Sequence, residues 1–363
     1  MLKIMTVLGT RPEIIRLSKI ITKLDQYADK HLLVHTGQNY DEKLSDIFFE
    51  QLKVRKPDYY LQLSNYSIGA QLGEIFTGVE QIIMQHRPDK MLVLGDTNSA
   101  LCAFLGERYG IPVYHMEAGN RCFDHSVPEE INRKVIDAIS SFNLPYTKIS
   151  KENLIREGID PQRVWVSGNP IFEVLTNFRD EIANSKILSE LNLQSKQYIV
   201  VTAHRAENVD NKQKLNNIIA SLSLIAKKYS IPIVCSVHPR TRDRLKNFGI
   251  ANNDPLVKFC EPFGFFDFIW LQQNAKCVIT DSGTVQEESC IMRVPSVTIR
   301  NSTERPETVM CGSNVVSGLD VENIVRSVEL MMNAKTDWEM PEGYTDPNVS
   351  EKILHFILGG LRH

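Results

Sequence analysis

Short runs of apolar, β-prone residues alternate with amphipathic stretches along the whole chain. In the first half the runs are Lys3–Leu8, Leu32–His35, Met91–Leu94, Val113–Met116 and Val164–Val166. In the second half they are Tyr198–Thr202, Pro232–Val237, Val257–Phe259, Cys277–Thr280 and Ser296–Ile299. They are apolar on both faces, as strands are when helices cover both sides of a parallel sheet. Between them apolar residues recur at the helical period: Ile14, Leu17, Ile21 and Leu24 form one stripe, and Ile131, Val135 and Ile139 another. Pro12 and Pro128 stand at predicted helix starts, where a missing N–H costs no hydrogen bond. Such alternation predicts an α/β fold with parallel sheets. The pattern resets at Gly168–Pro170, and a polar helical stretch from Asn177 to Leu193 leads into a new strand at Tyr198. We therefore expect two doubly wound, Rossmann-like domains, residues 1–170 and 171–345, with a cleft between them. A last amphipathic segment, with Val349, Ile353, Phe356 and Ile357 along it, is expected as a helix over about 346–363 that packs back on the first domain.

The length of 363 residues supports this division, because it exceeds one ordinary hydrophobic core. A net charge of −3 supplies no basic footprint for nucleic acid. No apolar run approaches the ~20 residues needed to cross a bilayer, so no stable membrane insertion is expected. The N-terminal apolar run is short and meets Arg11, Pro12 and Glu13 at once, unlike a secretory signal, so a cytoplasmic location is expected. The seven cysteines are odd in number and form no CxxC pair, which argues against a disulfide framework and a zinc site. No metal is expected. Cys235, Cys260 and Cys277 fall in strand-like runs and read as small buried hydrophobes. Cys122, in a polar loop, is the one thiol whose setting leaves a functional role open.

Polar clusters follow the predicted strands with regularity. They are Gly9-Thr10-Arg11-Pro12-Glu13, Thr36-Gly37-Gln38-Asn39, Gly95-Asp96-Thr97, Glu117-Ala118-Gly119, His204-Arg205, His238-Pro239-Arg240 and Asp281-Ser282-Gly283-Thr284. A single Gly-Asp pair is usually a turn. Seven clusters in two domains describe a ligand cleft, because parallel sheets bind ligands beyond their strands' carboxyl ends. Among the acids, Asp96 reads equally well as a helix N-cap, and Glu129 and Glu130 as compensation of a helix dipole. Glu117 is harder to dismiss, because a carboxylate between an apolar strand and Ala-Gly needs a partner. His204, at a strand end beside Arg205, is placed for acid–base or phosphate duty, and His238 repeats the theme. Asp281–Thr284 opens a helix whose N-terminus suits a phosphate. Glu288 further along reads as a ribose acceptor or as an exposed helix acid, and Arg305 as a second cation for a diphosphate. Neither GxGxxG nor GxxxxGK[ST] occurs, so both standard glycine-rich phosphate loops are missing and no dinucleotide cofactor is expected.

In this order the motifs resemble the non-hydrolysing UDP-N-acetylglucosamine 2-epimerases. They are Gly9–Glu13, Gly95–Thr97, His115–Gly119, Pro128–Glu130 with Asn132-Arg133, His204-Arg205, Thr280–Gly283 with Gln286–Glu288, and Thr303–Glu307. The likeness runs from residue 3 to about residue 320. It implies a glycosyltransferase-B-like fold, UDP held mainly by the second domain, and a homodimer. It implies catalytic positions at Asp96, Glu117, Glu129 and His204. It further implies substrate- or UDP-binding positions at Arg11, Arg16, Gln38, Arg133, Arg205, His238, Ser282, Gly283, Thr284, Glu288 and Arg305. The chain departs from well-known members at Asn39, Ala206 and Thr284, where they carry histidine, a basic residue and glycine. Some of these positions belong to a second, activating UDP-sugar site, so allosteric activation is not carried over. The strings His35–Asp41 and Asn120–Asp124 look instead like a capsule and O-antigen branch similar to UDP-N-acetyl-L-fucosamine synthase, which inverts C2 of UDP-2-acetamido-2,6-dideoxy-L-talose. That sugar is the expected substrate, with UDP-N-acetylglucosamine as the alternative.

The chemistry favours elimination. The C2 proton of a 2-acetamido sugar has no adjacent carbonyl, so a simple base removes it too slowly. Oxidising a neighbouring hydroxyl with NAD is disfavoured by the missing fingerprint. Expelling UDP as C2 loses its proton gives a glycal, to which UDP adds back with a proton from the other face. That route needs an acid and a base on opposite faces of C2 and cations for the diphosphate. The rivals are a glycosyltransferase on the same architecture, a hydrolysing epimerase and a UDP-sugar-binding regulator.

Overall fold

The computed structural model describes residues 2–38, 42–64, 67–252 and 254–360. The chain divides into two compact units, Met1–Phe178 with Glu342–His363, and Arg179–Pro341. The first holds strands β1 (Lys3–Leu8), β2 (Lys30–His35), β3 (Tyr59–Tyr60), β4 (Lys90–Leu94), β5 (Val113–Met116) and β6 (Phe142–Leu144). The second holds β7 (Ile199–Thr202), β8 (Ile233–Ser236), β9 (Val257–Cys260), β10 (Cys277–Thr280), β11 (Ser296–Thr298) and β12 (Asn314–Val316). Every pairing is parallel, and the orders are β3-β2-β1-β4-β5-β6 and β12-β11-β10-β7-β8-β9. The two orders are the same doubly wound topology, 3-2-1-4-5-6, used twice. Each sheet reverses direction of growth between two neighbours, β1 and β4 in the first unit and β7 and β10 in the second. These are the topological switch points where open sheets bind ligands.

The hydrophobic runs explain the sheets. Ile4, Met5, Val7 and Leu8 of β1, and Ile199, Val200, Val278 and Ile279 of the second sheet's centre, are fully buried. The stripe Ile14, Leu17, Ile21 and Leu24 is also fully buried, along helix Arg11–Tyr27. Helix Val349–Leu358 packs on that same helix within the first unit, with an ion pair between Lys23 and Glu351.

Three expectations need correction. Val164–Val166 is not a strand: Val164 makes an isolated bridge to Asn143, and β6, just upstream, is the sheet's edge. The Asn177–Leu193 stretch is not one helix: helix Ile171–Asn177 ends where it begins, and two short helices, Arg179–Ala183 and Ile187–Glu190, follow. The stripe on helix Pro128–Ile139 is only partly inward: Ile131 and Val135 are 51% and 44% exposed and Ile139 packs against the core, while Glu130, Arg133, Ile136 and Asp137 are buried. The charged side of that helix turns inward because it supplies the strand ends described below. Among the described residues no helix is long and apolar enough to cross a membrane.

Candidate active site

In the first unit the loops after β1, β4 and β5 carry the predicted groups. Glu117, 5% exposed, follows β5 and pairs with the buried Arg16 of helix Arg11–Tyr27 at 2.5 Å. Tyr146 Oη and Asn120 Nδ2 donate to the same carboxylate, each at 3.4 Å. Glu117 sits at φ +63°, in the left-handed region. That conformation costs a side-chain-bearing residue roughly 1–2 kcal/mol, so the surroundings must impose it. Arg16, a substrate-binding position by resemblance, thus lies against this acid. Arg11, half-buried, lies with its Cζ 5.8 Å from the Phe48 ring centre.

Asp96 is not a helix N-cap. The helical turn beyond it starts at Ala100 with Ser99 in the cap position, and the Asp96 carboxylate is ion-paired with Arg133. Arg133 is buried and also pairs with Glu130 at 2.7 Å. Glu130 is fully buried, and its oxygens accept from the Cys122 and Phe123 N–H groups at 3.0 and 3.2 Å. Dipole compensation is thus only part of its role: it pins the loop that leads away from Glu117. Arg133 is accordingly an internal clamp for Asp96. Glu129, its neighbour in the first helical turn, is half-buried. Gln38 Oε1 accepts from Ser99 N and Oγ at 3.1 Å, which ties the β2 end to the β4 loop. Asn39–Asp41 lie outside the described residues.

Glu13 was not singled out in the sequence. It is 1% exposed and accepts from Gly9 N at 3.0 Å, Thr10 Oγ1 at 2.7 Å and Thr97 Oγ1 at 3.2 Å. It stitches the two loops of the switch point together. Burial pushes its carboxyl up to about 7, against the opposing effect of the Thr10, Gly9 and Thr97 hydrogen bonds. The signal was there: Thr10-x-x-Glu13 is the pattern of a helix capping box.

In the second unit the β7 and β10 ends meet. Asp281 is fully buried and accepts from His204 N, Arg205 N and Asn208 Nδ2 at 3.0, 2.9 and 3.1 Å. The His204 side chain is 43% exposed, with Nδ1 3.5 Å from Asp281. Its ring centre lies 6.0 Å from that of His238, which caps helix Pro239–Phe248 by accepting from Arg240 N through Nδ1. Ser282 is the N-cap of helix Gly283–Ile291, and its Oγ lies 3.0 Å from Thr284 Oγ1. A Cβ on Gly283 would stand 2.6 Å from Glu304 Oε1, so a side chain here would have to displace the Glu304 carboxylate. Glu288 is no exposed helix acid: it is 5% exposed and accepts from Gln272 Nε2 at 2.9 Å. Arg205 donates to Glu304 at 3.0 Å. Arg305 is buried against Glu287 at 2.5 Å, so its charge organises the helix that carries Glu288.

Cys122 is buried, with Sγ 3.4 Å from Glu130. Sequence spacing gave no sign that Cys290 and Cys311 would lie with sulfurs 3.8 Å apart. Hydrogen bonding between them holds the Cys311 thiol below its ordinary range.

A family model described as UDP-N-acetylglucosamine 2-epimerase matches residues 22–358. The UDP-N-acetylglucosamine 2-epimerase of Methanocaldococcus jannaschii is 41% identical, over 99% of this chain and 100% of that one. The enzyme of that name from Methanococcus maripaludis is 40% identical, over 99% of each chain. The crystal structure of the M. jannaschii UDP-GlcNAc 2-epimerase in complex with UDP-GlcNAc and UDP matches with a TM-score of 0.93 at 39% identity, covering 98% of this chain and 99% of that one. These relatives are named for the D-gluco sugar, not for the L-fucosamine branch that the two short strings suggested. A likeness of this strength settles the family, and the chain belongs to the UDP-N-acetylglucosamine 2-epimerases, isomerases that act on UDP-sugars.

Proposed function

We propose that this chain interconverts UDP-N-acetylglucosamine and UDP-N-acetylmannosamine by eliminating UDP to a glycal and adding it back. The observation that carries the choice of sugar is the full-length identity of about two residues in five to enzymes named for UDP-N-acetylglucosamine. The site supports the route. Asp96 and Glu117 follow neighbouring strands of one sheet and Glu129 lies in the first turn of the helix after the second of them, which suits proton transfer on two faces of C2 and an oxocarbenium-like state at C1. In the second unit His204 would serve the departing diphosphate, and the N-terminus of helix Gly283–Ile291 would hold it through backbone N–H groups. Glu288, steadied by Gln272, would accept from the ribose. A glycosyltransferase needs no such set of acids around the sugar.

The test is incubation in D₂O with UDP-N-acetylglucosamine and, side by side, with UDP-2-acetamido-2,6-dideoxy-L-talose. The expected result is deuterium at C2 of the D-gluco and D-manno sugars with UDP attached, over many turnovers. Faster turnover of the L-talo sugar would move the enzyme to the other branch. Free N-acetylmannosamine as the product would make it a hydrolysing epimerase.

We further propose a homodimer through the outward side of helix Pro128–Ile139 and its neighbour Ala103–Arg108. Ile131, Val135 and Phe104 are exposed on these two helices, which touch each other, and Tyr109 is exposed just past the end of the second. Exposed apolar surface concentrated in this way marks an association face. Ile131→Asp with Val135→Asp is expected to convert the dimer to monomer in sedimentation velocity. A wild-type chain that sediments as monomer would overturn the proposal.

A further inference from the structure

The left-handed conformation of Glu117 raises the question of what imposes it. Glu117 is the third residue of a segment that runs from His115 to Arg121, and one side chain gathers that segment from both ends. It is Asp137, on the inward side of helix Pro128–Ile139 and 1% exposed. Ahead of Glu117, the His115 ring places Nδ1 2.9 Å from Asp137 Oδ1. Behind it, Gly119 N donates to both Asp137 oxygens at 3.2 and 3.3 Å. The Arg121 guanidinium closes the set at 2.7 Å from Oδ2. His115 extends the array, because its Nε2 lies 2.8 Å from the carbonyl oxygen of Gly95, the residue before Asp96. Gly119, at φ +77°, lies so close to helix Lys148–Arg156 that a Cβ would stand 2.2 Å from Ser150 O. The turn thus has no room to relax on that side.

We infer that Asp137 is a positioning residue for the reaction: by clasping His115, Gly119 and Arg121 it holds Glu117 in its left-handed conformation. The inference rests on the reading of Glu117 as a proton-transfer group. The choice of side chain fits the task. Three donors converge on it, and a carboxylate accepts from all three, whereas an amide would present its own N–H to one of them. Burial by itself would raise the Asp137 carboxyl, but the His115 ring and Arg121 overcome this and hold it below the usual carboxylate range.

The experiment is a double-mutant cycle of Asp137→Asn with Glu117→Gln, measured in the full-length enzyme. Turnover is expressed per UDP-binding site by calorimetry, so loss of folded protein does not count as loss of rate. Asp137→Asn alone is expected to lower kcat by roughly 10–100-fold, the usual scale for a misplaced reacting group, with KM within about threefold of wild type. In the Glu117→Gln background the same change is expected to lower kcat by less than about threefold, because the group it positions is already gone. Losses that multiply would show that Asp137 acts independently of Glu117 and would overturn the inference, as would a kcat for Asp137→Asn within about threefold of wild type. Near-wild-type turnover by Glu117→Gln alone would remove the catalytic reading itself, and the positioning role with it. If Asp137→Asn does not fold, His115→Gln takes its place in the same cycle. It releases one of the three partners, and the same two patterns decide.

Discussion

Replacing Glu117 by Gln is expected to lower kcat by about 10²–10⁴-fold, the range for losing one group that transfers a proton, while UDP still binds. The substitution keeps the side chain's length and removes its charge. In the wild-type site that charge faces Arg16 at 2.5 Å in a setting where both side chains are almost fully buried. Ion pairs in such surroundings are costly to desolvate and persist where geometry and further hydrogen bonds compensate. Here Tyr146 and Asn120 add to the set. A structure-preserving reason alone does not account for a charged residue held at φ +63° at the end of β5, where a glycine would sit without strain. The measurement is kcat at saturating UDP-N-acetylglucosamine beside UDP affinity by calorimetry. Asp96→Asn is the companion variant, because Asp96 is another proposed proton-transfer acid paired with a buried arginine. If both variants turn over at near-wild-type rates, proton transfer by these carboxylates is wrong and the site's acids serve binding.

Much of this arrangement was legible before any coordinates, and the reason is topological. A parallel sheet with helices on both faces writes its strands as apolar runs, and its ligand groups fall directly after those runs. Thus Gly95–Thr97, Glu117 and His204 declared themselves by position. Edge strands were harder. β3 is two residues long, β6 reads Phe-Asn-Leu and β12 opens with Asn314, so none shows a sustained apolar run. The facing of helix Pro128–Ile139 was misread for a related cause. Its apolar residues keep the helical period, but its buried side holds Glu130, Arg133 and Asp137, each with a partner outside the helix, Cys122 N, Asp96 and Arg121 in turn. Periodicity reports which residues are apolar, and burial of a charge depends on pairings between residues such as His115 and Asp137 that no local pattern encodes. Arg305 shows the same limit: it reads as a cation for a diphosphate, and no local pattern tells that Glu287 stands against it.

The largest stability effect is expected at Asp281. Its carboxylate, fully buried at the end of β10, is the acceptor for two backbone N–H groups of the β7 loop and for the Asn208 amide. Thr202 and Thr280, paired at 2.7 Å, bring the two strand ends to this point. Asp281→Ala removes the acceptor and leaves the donors inside the protein. Hydrogen bonds to a charged group contribute about 1.5–3 kcal/mol each and do not add fully, so the expected loss for the second unit is about 3–5 kcal/mol. At ~2–4 °C per kcal/mol for a unit of this size, its melting transition falls by roughly 6–20 °C. Turnover falls as well, because the loop so released carries His204. The comparison that separates the two effects is His204→Ala. Its side chain is largely in solvent, so its removal is expected to leave the melting transition within about 0.5 kcal/mol of wild type while activity is lost. An Asp281→Ala protein that melts with wild type would show that water replaces the carboxylate at those N–H groups. The β7 loop would then owe its position to Arg205, through its bond to Glu304, rather than to Asp281.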